Sequence, residues 1–125
     1  MSVVDTCFLI DLIREDRGAI RYVEEEQVLR TTSISVAEFL YGARTSRNPG
    51  FTDLARTFLS YFPVLPFDLE SAELYADIAA VLRRSGTRIS SFDELIAAVA
   101  LRNGEPIVSR DAHFSVIPGL TVISY

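Results

Sequence analysis

The chain contains no lysine, one cysteine and one histidine among its 125 residues. Its 12 basic residues are therefore all arginine, set against 17 acidic ones for a formal charge of −5. The lone cysteine, Cys7, makes neither an internal disulfide nor a zinc cluster, and it fits a reducing, cytoplasmic setting. Long apolar runs are missing too. The segment after Met1 lacks a basic leader and is interrupted by Asp5 and Asp11, which argues against secretion and against a membrane span. Repeats, linkers and low-complexity tracts are absent, so residues 1–125 read as one domain, long enough to bury a core without staples. The lone histidine, His113, falls in a predicted loop and reads as a surface residue. Cys7 has no histidine beside it to activate the thiol and reads as a small core residue. The acidic balance, taken alone, argues against a polyanionic partner.

What is present is an alternation of short apolar runs and amphipathic stretches. Ser2-Val3-Val4 reads as a buried strand, followed by a helix capped by Thr6 with Phe8, Leu9, Leu12 and Ile13 on one face. Asp16-Arg17-Gly18 breaks the pattern, and a second helical stretch runs to Glu26. Leu29 to Ile34 is rich in β-branched residues and reads as a strand. Ser35 and Glu38 have the spacing of a capping box and open a helix to about Ala43. Phe51, Leu54, Ala55, Phe58, Leu59 and Phe62 recur at helical spacing. Val64-Leu65 sits between Pro63 and Pro66 and suits an edge strand. Asp68 caps a long helix ending at Arg83-Arg84, and Ser90-Ser91 opens another whose stretch Leu95 to Leu101 is apolar all round. Pro106 to Ser109 and Leu120 to Ile123 complete the strands. The pattern predicts an α/β fold of three α/β/α layers around a mostly parallel sheet of about five strands.

In such sheets ligands gather beyond the C-terminal strand ends, on the loops and first helical turns. That rule selects Asp5 after the first strand, Glu38 after the second, Asp111 after the fourth, and Asp93 in the first turn of the apolar helix. Each has a plainer reading as a cap or turn former. Jointly they conflict: clustered carboxylates repel, and burying them unpaired costs several kcal/mol or forces protonation. No lysine neutralises them, and Arg110 is the one base close by in sequence. A divalent cation with a preference for hard oxygen ligands, Mg²⁺ or Mn²⁺, resolves the conflict.

Four segments then carry a family resemblance. They are Val4-Asp5-Thr6, Ser35 to Ala43 around Glu38, Asp93 to Ala98, and Val108 to Phe114 followed by Ile117-Pro118-Gly119-Leu120. In this order and over essentially the whole chain they resemble the PIN domain, and within it the VapC-type toxin ribonucleases of toxin–antitoxin pairs. The resemblance implies a Mg²⁺-dependent endoribonuclease, with Asp5, Glu38, Asp93 and Asp111 as catalytic metal-binding acids. It implies hydroxyls near the metal at Thr6 and Ser109. It also implies an RNA substrate, a small VapB-like antitoxin as inhibitor, a homodimer, and products with 5′-phosphate and 3′-hydroxyl ends. Two departures stand out: Cys7 replaces the usual Asn or Ser, and the Ser109–Phe114 segment is shorter than the common version.

Two bound Mg²⁺ would cancel the four formal charges of the acids. Arg44 and Arg47 after the Glu38 helix, Arg83, Arg84 and Arg88 before the Asp93 helix, and Arg110 could then form a positive rim that suits phosphate. Arg83 and Arg84 would serve a helix C-terminus equally well. Tyr41, Phe51, Phe58 and Tyr61 divide between the core and a surface facing a partner. The missing lysine argues against phosphoacceptor receiver domains and haloacid-dehalogenase phosphatases, which need one near the phosphoryl group. The remaining alternatives are a PIN nuclease of RNA processing, whose extra domains find no room here, and a PIN module that binds without cleaving.

Overall fold

The computed structural model describes residues 1–26 and 28–125. The described residues form five strands and six α-helices: β1 (Ser2–Val4), α1 (Thr6–Ile13), α2 (Arg17–Glu25), β2 (Leu29–Thr32), α3 (Ser33–Arg44), α4 (Phe51–Leu59), β3 (Val64–Leu65), α5 (Leu69–Arg84), α6 (Ser91–Arg102), β4 (Ile107–Val108) and β5 (Val122–Ile123). Every strand pair is parallel, in the order β3-β2-β1-β4-β5. The proline-flanked β3 lies at an edge, where the missing N–H donors cost nothing.

Because side chains alternate along a strand, neighbouring residues of β1 and β4 serve opposite layers. Val4 and Val108 pack with Phe8, Leu9, Phe39, Ala43, Ala55 and Leu59 from α1, α3 and α4. Val3 faces the other side with Val99 and Ala100, and Ile107 packs there with Ile78, Leu82, Ile96 and Phe114. The α/β/α layering expected from the alternating pattern is thus the architecture observed. Helix α6 is buried from Ile96 to Ala100 because it carries small residues against the sheet and α5. Among the described residues no helix is long and apolar enough to cross a membrane. Of the four aromatics, Phe51 and Phe58 pack against Phe39, while Tyr41 and Tyr61 stay exposed.

Three local expectations give way to the tertiary structure. Asp5, not Thr6, caps α1, its Oδ1 accepting the Phe8 N–H at 2.9 Å. Strand β2 ends at Thr32, whose Oγ1 accepts the Ser35 N–H at 3.0 Å and caps α3, so Ser35 is an interior helix residue and the Ser35/Glu38 capping box does not form. Gly18 lies inside α2, and the left-handed residue at the α1–α2 break is Glu15, with φ 61°.

At the end of the sheet where the strands begin, Arg30 on β2 forks onto the carboxylate of Glu105, which is buried just before β4. Truncating one partner of such a pair leaves a buried charge unmatched. Arg30→Ala is expected to cost about 2 kcal/mol in urea unfolding, and the double variant Arg30→Met/Glu105→Leu to recover most of it. An unchanged midpoint for Arg30→Ala would sink this reading.

Candidate functional site

The chain builds outward from β1 through β2 to β3, then returns to place β4 on the other side of β1. The C-terminal ends of β1 and β4 therefore flank the point where strand order reverses, the crevice in which open parallel sheets hold ligands. Asp5 leaves β1 there, and Ser109-Arg110-Asp111 leaves β4. Glu38 projects from α3 and Asp93 from the first turn of α6. These acids come from four separate segments: Asp5 feels the charge of Asp93 and Asp111, Glu38 that of Asp93, and Asp93 that of Asp111.

Asp5 is the most enclosed, at 3% exposure. Burial pushes its carboxyl up to about 6, and the neighbouring Asp93 and Asp111 add to this. Hydrogen bonds from Ser109 and the Phe8 backbone pull the other way. Glu38 and Asp93 are also raised, first by burial. The Thr6 hydroxyl moderates the effect at Glu38, and the Ser90 hydroxyl does so at Asp93, where Asp111 raises it further. Burial likewise raises the Cys7 thiol to about 11, which leaves it protonated and unreactive at neutral pH.

Both expected hydroxyls hold these acids in place. Thr6 Oγ1 donates to Glu38 Oε1 at 2.7 Å, bridging α1 to α3 across 32 residues. The fully buried Ser109 donates to Asp5 Oδ2 at 2.5 Å and accepts the Asp111 N–H at 2.9 Å, linking the exits of β1 and β4. Asp111 in turn caps the 3-10 turn Ala112–Val116 by accepting the His113 N–H.

The arginines separate. Arg110 lies beside the acids, but its Nε is bound at 3.1 Å to Asp11, a buried carboxylate that also accepts the Tyr125 hydroxyl at 2.6 Å. That anchor escapes a sequence reading because Asp11 and Tyr125 stand 114 residues apart. Arg44, Arg47, Arg84 and Arg88 are exposed and pair with no carboxylate among the described residues. Arg88 lines a cleft of about 320 Å³ with Arg83 and Glu94, beside the start of α6. A second groove, of about 420 Å³, runs from Glu38 past Arg14, Phe39, Asn48 and Phe51.

The donor set fits a hard divalent cation. Four carboxylates at one crevice, three of them shifted toward protonation by burial and mutual repulsion, gain most from a compact positive charge. Asp93 and Asp111 have ligand atoms within 4.8 Å of each other; His113, a surface residue as the sequence suggests, has a ring nitrogen within the same distance, while Asp5 and Glu38 are not in this close group among the described residues.

Residues 2–120 match the family model of the PIN domain. The chain is 30% identical to VapC ribonuclease Y4jK of Sinorhizobium fredii, covering 99% of this chain and 96% of the relative. Its fold is similar to VapBC2 from Rickettsia felis bound to a promoter DNA fragment, with a TM-score of 0.91 and 22% identity over 99% and 98% of the two chains. It is also similar to DNA-bound VapBC from Salmonella typhimurium, with a TM-score of 0.88 and 27% identity over 99% and 98%.

Proposed function

We propose, from the premise that this chain belongs to the PIN-domain family and within it to the VapC ribonucleases, that it is a divalent-metal-dependent endoribonuclease toxin. The reading takes residues 1–125 as one such domain, working in the cytoplasm, dimeric, and blocked by a VapB-like antitoxin. The observation that carries it is the pair Asp93 and Asp111, with ligand atoms within 4.8 Å of each other, whose charge is felt by Asp5 at the exit of β1 and, from Asp93, by Glu38 on α3. The VapBC neighbours support the antitoxin partner.

In this mechanism the four carboxylates hold Mg²⁺ or Mn²⁺. When bound, such an ion supplies a polarised water and positive charge against the phosphodiester. Ser109 holds Asp5 and Thr6 holds Glu38, so that the ligand oxygens are oriented before the cation arrives. Arg110, its Nε committed to Asp11, keeps both Nη groups for a phosphate oxygen. Arg44, Arg47, Arg84 and Arg88 act further out, along the strand of RNA.

The test is cleavage of total RNA with a titration of metal. Fragments with 5′-phosphate and 3′-hydroxyl ends are expected with Mg²⁺ or Mn²⁺, none in EDTA, and loss of cleavage on adding the product of the adjacent small reading frame. Undiminished cleavage in EDTA would refute the metal mechanism. Failure of the partner to bind or inhibit would refute the toxin–antitoxin reading alone.

A further inference from the structure

His113 is exposed, yet the turn that carries it is fixed at both ends. Asp111 accepts its backbone N–H at 2.9 Å and fixes the start of the 3-10 turn. The next residue, Phe114, is fully buried against α5 and α6 and pins the turn from below. The imidazole thus stays beside Asp111. Its Nδ1 lies 3.1 Å from Asp111 Oδ1, and a ring nitrogen lies within 4.8 Å of ligand oxygens of both Asp93 and Asp111. Two ligands on opposite sides of one first-row ion stand about 4.2 Å apart, twice a bond of about 2.1 Å, so small side-chain rotations close all three onto a single cation. The side chain is 66% exposed, which leaves an entry path for the ion.

We infer that His113 donates a ring nitrogen to the cation held by Asp93 and Asp111, making a mixed oxygen–nitrogen site that selects Mn²⁺ over Mg²⁺. The inference rests on the metal-dependent reading above. Its chemical basis is ligand softness: imidazole suits transition metals, whereas Mg²⁺ prefers carboxylate, carbonyl and water oxygen. A histidine that merely formed an ion pair with Asp111 would not distinguish the two cations.

The test is metal binding by the RNA-free protein, with Mn²⁺ followed by electron paramagnetic resonance and Mg²⁺ by calorimetry. Wild type, His113→Ala and Asp93→Asn are compared. For His113→Ala a weakening of roughly tenfold or more is expected toward Mn²⁺ and less than about twofold toward Mg²⁺. With Co²⁺ as a probe, the visible absorption band should shift in the same variant. Equal losses for both cations, or no loss for either, would overturn the role of His113 while leaving the carboxylate site standing. Should Asp93→Asn bind Mn²⁺ as well as wild type does, the carboxylate reading itself falls and this inference with it. Because the ring is exposed, His113→Ala is expected to keep the wild-type unfolding midpoint.

Discussion

Asp93→Asn is expected to cleave RNA at least roughly 10³-fold more slowly than wild type at saturating metal, a loss of about 4 kcal/mol in transition-state stabilisation. The substitution is isosteric and removes one anionic ligand from a crevice where Asp111 and Glu38 supply neighbouring charge. The fold should not suffer. The backbone N–H of residue 93 is capped by Ser90 Oγ at 3.1 Å regardless of the side chain, and burial already disfavours the ionised carboxylate. Single-turnover cleavage of a labelled RNA, with circular dichroism to check folding, measures the effect. A rate within tenfold of wild type would remove Asp93 from the site.

The second large effect concerns stability. In the fold, burial raises Asp5 from an ordinary 3.8 to about 6. Between these values the native protein keeps a proton that the unfolded chain has released, so native-state stability falls as pH rises through the window and the loss is complete above about 6. The gap from 3.8 to about 6 corresponds to about 3 kcal/mol. Without metal, wild type at pH 7.5 should therefore unfold at lower urea than at pH 4.5 through this group, while Asp5→Asn lacks that dependence. The variant is expected to be the more stable of the two at pH 7.5 by on the order of 1–3 kcal/mol, yet inactive. Asn can still accept the Phe8 N–H, so the cap on α1 survives the change. Adding Mn²⁺ should narrow the difference, because ligand that binds only the native state stabilises it. Equal urea midpoints for the two proteins in EDTA at pH 7.5 would show that Asp5 carries no such burden.

These two effects share one cause. The crevice concentrates negative charge that a self-sufficient fold would avoid, and Ser109 and Thr6 restrain the carboxylates without neutralising them. On the proposed function, stability is given up at the place where a cation and then a phosphate would bind.

Much of this was legible in order along the chain. Val3, Val4, Ile107 and Val108 announce buried strands, and the acids that follow them are selected by where parallel sheets bind ligands. The local caps were less legible. Asp5 and Thr6 are both good cap residues, as are Thr32 and Ser35, and a linear pattern cannot rank them. The fold does so by recruiting Thr6 to Glu38 and burying Ser35 completely.

The order of strands and helices, the apolar character of α6 and the presence of the acids are determined by the sequence alone, because they depend on periodicities that neighbouring residues set. Which groups meet is decided only by the tertiary structure. Asp11 holding Arg110 and Tyr125, Ser109 joining Asp5 to Asp111, and His113 turning toward Asp93 all join separate elements. Their distances follow from the parallel stacking of β1 against β4 and from Phe114 anchoring the 3-10 turn. Lysine's absence argued against rival chemistries from the outset, but only the fold concentrates the negative charge at one crevice.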